Sequence, residues 1–114
     1  MTVEAMKETI CAAASEKKAR DIVTMDMREL MPTTDYFVVC SANTATQVRA
    51  IADNIEEKLA ESGAHFLHKE GYREGEWILM DYGDVVAHIF RQEAREYYAL
   101  EHLWADAALT PYED

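Results

Sequence analysis

The chain predicts a single small α/β domain, a mixed β-sheet of about five strands with helices covering it. Three observations carry this. Segments with apolar residues at helical spacing alternate with short β-branched runs. Toward the C-terminal end, Gly83-Asp84 separates two apolar runs, Trp77 to Tyr82 and Val85 to Phe90, as a two-residue turn separates hairpin strands. The 114 residues are 49% hydrophobic, enough for one core without staples and too apolar for a disordered chain. Helices alternating with strands, plus a hairpin, give a mixed sheet with covering helices. The domain is expected to span residues 1–108, and 109–114 to be a polar, mobile tail.

The elements follow in order. Val3 to about Lys18 is a helix, because Val3, Met6, Ile10 and Ala13 recur at helical spacing with Lys and Glu between them. Asp21 to Met27 is a strand, rich in β-branched residues and imperfectly alternating. Met31-Pro32-Thr33-Thr34-Asp35 is a loop, since Pro32 cannot donate to a ladder. Tyr36 to Cys40 is continuously apolar, as a strand covered on both faces must be. Thr44-x-x-Gln47 has the form of a capping box and opens the clearest amphipathic helix. Val48, Ile51, Ala52, Ile55 and Leu59 line one side, Arg49, Asp53, Glu56, Glu57 and Glu61 the other, and Gly63 closes the helix. His65 to His68 is a short strand, and Glu70 to Glu76, with Gly71 and Gly75, a loop.

The turn fixes the hairpin register. Tyr82–Val85, Met80–Ala87 and Ile78–Ile89 pair on one face; Asp81–Val86, Leu79–His88 and Trp77–Phe90 pair on the other. The first face is core-like, whereas the second mixes aromatic, aliphatic and polar side chains. Two helical segments follow, with Phe90, Ala94, Tyr97 and Tyr98 on one stripe and Leu100, Leu103, Trp104 and Ala107 on another. Within them Tyr97 is expected to be buried and Trp77, beside Asp81 and His88, exposed. The predicted order is α-β-β-α-β-β-β-α-α.

Charge limits the partners. Eleven basic against 22 acidic side chains leave a formal charge of -11, which repels a phosphate backbone and attracts basic partners. Lys17, Lys18 and Arg20 are the tightest basic cluster. Cys11 and Cys40 sit in apolar surroundings without C-x-x-C spacing and read as buried thiols in a reducing compartment. The N-terminal residues carry acidic groups and no long apolar run, so neither a secretory signal nor a membrane span is read there, and a bacterial cytoplasmic location is expected.

Several polar groups offer candidate chemistry. Asp81 and Asp84 bracket the turn, and with Asp26 they could hold a divalent metal for phosphate chemistry. Turn positions favour Asp on local hydrogen-bonding grounds alone, and no Gly-rich phosphate loop precedes these residues. His65 and His68 lack the further ligands a zinc site needs and read as exposed. His88 could act as a general base, but it needs a nucleophile. Cys40 lies in an apolar strand that suppresses thiolate formation, and nothing marks Ser41 beyond its place at a strand end. No cofactor or metal is expected. The aromatic and polar hairpin face reads instead as a docking surface, since aromatics in a partly polar setting anchor interfaces.

Four stretches carry a family resemblance: Asp35-Tyr36-Phe37; Gln47 to Asp53; Asp81-Tyr82-Gly83-Asp84-Val85-Val86-Ala87-His88-Ile89-Phe90; and Glu93 to Trp104, which reads E-A-R-E-Y-Y-A-L-E-H-L-W. Over about Val3 to Ala107 the chain resembles the ribosomal silencing factor family, also called the Iojap family. It departs in the loop after the second strand, Ser41-Ala42-Asn43-Thr44, where the family usually has a Ser-Gly-Thr-Ser type loop. The resemblance implies a fold related to nucleotidyltransferases without their catalytic residues, hence no enzyme. It implies binding to the large ribosomal subunit through its fourteenth protein, a basic protein at the inter-subunit face. Docking there would block joining of the small subunit and damp translation when nutrients are short. Self-association into a homodimer when unbound is also implied. Register and motif together nominate Trp77, Leu79, Asp81, His88, Phe90, Tyr98, Leu100, Glu101 and Trp104 as the protein-binding residues, with little direct nucleic-acid contact and no membrane contact. The rival readings are a metal-dependent nucleotidyl or phosphoryl transferase using Asp81 and Asp84, and a dimerisation module.

Overall fold

The computed structural model describes residues 1–113. Its elements are α1 (Val3–Glu16), β1 (Arg20–Asp26), β2 (Tyr36–Ala42), α2 (Ala45–Glu61), β3 (His68–Glu70), β4 (Trp77–Asp81), β5 (Val85–Arg91), α3 (Gln92–Tyr98), α4 (Leu100–Leu103) and β6 (Ala108–Pro111). The six strands form one mixed sheet in the order β3-β4-β5-β2-β1-β6. Only β2 and β5, at the centre, run parallel; every other neighbouring pair is antiparallel.

Local chemistry sets the helix ends. Thr2 caps α1, its hydroxyl accepting from the Ala5 N–H at 3.0 Å. Thr44 caps α2 in the same way, accepting from Gln47 N–H at 3.1 Å. The return half of the capping box is diverted: the Gln47 amide donates to the Lys17 carbonyl and ties α2 to the end of α1. Beyond α2, Gly63 takes φ +80. There Gly63 N–H donates to the Ala60 carbonyl and Ala64 N–H to the Leu59 carbonyl, a left-handed closure that suits glycine.

The sheet carries a core on each face. On the first, α1 and α2 pack Ile10, Ile51, Ile55 and Leu59 against Val38, Cys40, Ile78, Met80, Ala87 and Ile89. On the second, Met25, Met27, Phe37, Val39, Val86 and Phe90 are covered only by the short helices α3 and α4 and by flanking loops. Every residue of β2 is buried, as a continuous apolar run requires. The two faces are therefore covered unequally, and that inequality positions the candidate site.

The observed hairpin register pairs Trp77 with Phe90, Ile78 with Ile89, Leu79 with His88, Met80 with Ala87 and Asp81 with Val86, as the turn predicted. Two strands differ from expectation. The short strand lies at His68–Glu70, not at His65 to His68. It is polar because it is an edge, with Lys69 paired to Glu56 at 2.9 Å, and edges favour charge over apolar alternation. At the other edge the sheet gains a sixth strand. Ala108–Pro111, expected largely within a mobile tail, pairs antiparallel with β1, Val23 opposite Pro111 and Met25 opposite Leu109. All four residues are exposed, so no burial pattern announces the strand, and Pro is tolerated at an edge. Of the expected tail, Asp114 lies outside the described residues.

Candidate functional site

Trp77 on β4 organises the second face. Its indole stacks on Phe90, ring centroids 4.9 Å apart, and leans on Tyr98 of α3 at 4.7 Å. Its Nε1–H donates to Nδ1 of His88 at 3.1 Å. His88 also meets Phe37 edge-on at 4.5 Å, and Phe37 meets Trp104 at 6.4 Å. These contacts join β4, β5, β2, α3 and the end of α4 into one aromatic cluster, a geometry that stabilises beyond area burial.

His88 is neutral. Accepting through Nδ1 requires the proton on Nε2, and burial lowers its pKa to about 3. Its Nε2 is buried and has no hydrogen-bond partner among the described residues. A base with so low a pKa is a poor proton acceptor, so the general-base role has no support here. The thiols are equally quiet: burial pushes Cys11 up to about 11 and Cys40 to about 12. Ser41, fully buried, accepts a hydrogen bond from Arg95 Nη1 at 3.0 Å and so joins the framework.

The carboxylates do not converge. Asp81 Oδ1 accepts from Gly83 N–H at 2.7 Å, the local turn bond expected of an Asp at that place. Asp26 lies on β1, three strands from β4 in the sheet and so about 14 Å away at normal strand spacing. There it binds Arg28 at 2.7 Å, which holds its carboxyl below the usual range. His65 and His68 are both exposed, and His68 contacts Glu70 at 3.1 Å. Among the described residues, no group of three His, Cys, Asp or Glu could hold a metal ion.

The docking residues nominated from sequence divide into two sets. Trp77, Leu79, Asp81, Glu101 and Trp104 are half-buried and Tyr98 is exposed. His88, Phe90 and Leu100 are buried, at 4%, 0% and 6% exposure, which corrects the expectation of an open face at those three positions. Trp77 packs on both His88 and Phe90, and Tyr98 also meets Phe90. Glu101 is corrected too: its carboxylate faces inward onto Arg95, at 2.9 Å from Nη2. Tyr97, expected to be buried, is 82% exposed, and Leu103 is 70% exposed. The buried stripe of α3 runs through Ala94 and Arg95, so a charged residue takes a place that hydropathy assigns to an apolar one. Helical spacing places Tyr97 and Leu103 on apolar stripes, and neither is among the nominated docking residues, yet both face solvent. Six large hydrophobic side chains are exposed among the described residues, and four of them, Tyr97, Tyr98, Leu103 and Leu109, fall between residues 97 and 109.

The model of the family described as "Ribosomal silencing factor during starvation" matches residues 1–114. The chain belongs to the ribosomal silencing factor family. It is similar to ribosomal silencing factor RsfS of Bacillus subtilis, 40% identical over 109 residues, which covers 96% of this chain and 92% of the relative. Two solved structures share the fold. A protein from Chromobacterium violaceum superposes with a TM-score of 0.90 at 32% identity, covering 92% of this chain and 88% of that one. Another, from Bacillus halodurans, gives 0.83 at 33% identity, with 97% and 99% covered.

Proposed function

We infer that this chain is a non-enzymatic, cytoplasmic translational silencer. It docks on the large ribosomal subunit through a basic protein at the inter-subunit face, the fourteenth protein of that subunit, and excludes the small subunit by its bulk. The observation that carries the reading is the family match over the whole chain. The concentration of exposed Tyr97, Tyr98 and Leu103 beside the half-covered Trp77 cluster supports the placement of the contact. Aromatic anchors supply most of the energy in interfaces of this kind.

The formal charge of -11 supports a basic protein target and opposes contact with bare ribosomal RNA. Acidic residues on the rim would raise the encounter rate more than the final affinity. No helix among the described residues is long and apolar enough to cross a membrane. The transferase reading, which would use Asp81 and Asp84, is not favoured: Asp81 is engaged in the turn, and among the described residues no group of three His, Cys, Asp or Glu forms around the pair.

A sucrose-gradient assay tests the function. Purified protein added to separated subunits should leave large and small particles apart and should itself travel with the large ones. Full recovery of joined particles at saturating protein, or migration with the small subunit, would reject the proposal.

A further inference from the structure

Arg95 is a buried cation, 8% exposed, and its guanidinium reaches three parts of the fold. Nε and Nη2 donate to Glu101 Oε2 at 3.2 and 2.9 Å. Nη1 donates to Ser41 Oγ at 3.0 Å and to the Arg20 carbonyl at 3.3 Å. The Ser41 hydroxyl continues the chain, donating to that same carbonyl at 3.4 Å. Arg20 can offer its carbonyl because β1 is irregular between Arg20 and Val23, with Asp21 at φ +49.

Between Arg95 and Glu101 the chain breaks direction. Ala99 takes φ +45 and ψ +57, ending α3 and starting α4. A residue with a Cβ is strained there. The four-residue α4 is too short to hold itself by helical propensity. Backbone bonds from Ala99 N–H to the Arg95 carbonyl and from Leu103 N–H to the Ala99 carbonyl close the elbow but do not tie it to the sheet. The Arg95–Glu101 pair spans the elbow, while the Ser41 and Arg20 contacts anchor it to β2 and β1.

The geometry points to Arg95 as the positioning residue of the docking face. It fixes the angle between α3 and α4, and fixes both against the sheet, so that Tyr97, Tyr98 and Leu103 stand ready before any partner arrives. Ordering those side chains before contact removes a cost that binding otherwise carries. The inference rests on the docking reading above.

The test compares Arg95→Met, Arg95→Lys, Glu101→Gln, Ala99→Gly and Tyr98→Ala. For each, thermal melting, near-ultraviolet circular dichroism and affinity for purified large subunits are measured at a temperature where the variant is folded. Arg95→Met should bind about 10-fold more weakly or worse, as expected when a few side chains must be ordered at contact. Its near-ultraviolet signal from the Trp77–Tyr98 contact should fall, and Arg95→Lys should recover part of both. Glu101→Gln should move the same way by less. Ala99→Gly is the control: it relieves the strained backbone while the Arg95 bonds to Glu101, Ser41 and Arg20 stay in place, so melting should hold or rise and affinity should stay near wild type. If Arg95→Met fails to fold, Arg95→Lys and Glu101→Gln carry the test, and each should lose affinity at a temperature where it is folded. Wild-type affinity in folded Arg95→Met, or in both Arg95→Lys and Glu101→Gln, with Tyr98→Ala weakened, overturns the positioning role and leaves the docking face standing. Wild-type affinity in Tyr98→Ala removes the docking reading and this inference with it.

Discussion

Lowering the pH should weaken the fold through one side chain, His88. Its folded pKa is about 3, set by burial, against about 6.5 in an unfolded chain. A histidine with a depressed folded pKa favours the native state while it is neutral. The stability is therefore complete above pH 6.5 and is lost as the pH falls from there toward 3, because only the unfolded chain takes up the proton. At pH 5 the gap is about 1.5 pH units, or about 2 kcal/mol. That corresponds to a fall in melting temperature of about 8 °C in a domain of this size. The carboxyls of Glu4 and Asp26, whose pKa values are lowered, lose their contributions at more acid pH, so the interval from 6.5 to 5 isolates the imidazole. Urea unfolding at pH 7.5 and 5.0 gives the difference directly. His88→Gln cannot ionise and should lose most of the slope. An equal slope in the variant, or titration of the His88 imidazole itself near 6.5 by NMR in the folded protein, would refute the reasoning.

Other outcomes follow from the same structure. Trp77→Ala should reduce affinity for the large subunit by about 2 kcal/mol if the indole is a hot spot, and wild-type co-sedimentation of the folded variant would reject that role. Phe90→Ala should cost about 3–5 kcal/mol of stability, read from urea midpoints, because the ring is fully buried beneath Trp77. Gly71 and Gly63 share φ +80, but a Cβ on Gly71 would collide with the Trp77 carbonyl whereas one on Gly63 meets nothing within 4 Å. Gly63→Ala should therefore lose only the strain of about 1–2 kcal/mol and Gly71→Ala distinctly more, compared by thermal melting.

Much of the architecture is legible in the residues, and the gaps have physical causes. A two-residue turn with Gly83 leaves one register for the hairpin, so its five pairs follow from the sequence. Thr44 and Gly63 mark the ends of α2 because their chemistry is local. Of the edge strands, β3 is read a few residues too early and β6 escapes detection, because neither buries a periodic face. Alternation along β5 places His88 and Phe90 on the second face, yet it carries no information on what lies above them. The cover comes from α3 and α4, whose path depends on a left-handed alanine and a buried arginine. Both are invisible to hydropathy: Ala99 looks like an ordinary helix former, and Arg95 looks like a solvated charge. The same pair explains why Glu101 turns inward and why Tyr97 turns out.

The central claim is that the rim around Tyr97 is the side of the molecule that meets the large subunit. A photo-crosslinking amino acid placed at Tyr97, 82% exposed, and separately at Glu57 on the exposed side of α2, measures this most directly after incubation with purified subunits. The account predicts a crosslink from position 97 to a basic protein of the large subunit and none from position 57. Crosslinking from 57 alone, or from 97 only to ribosomal RNA, would contradict it.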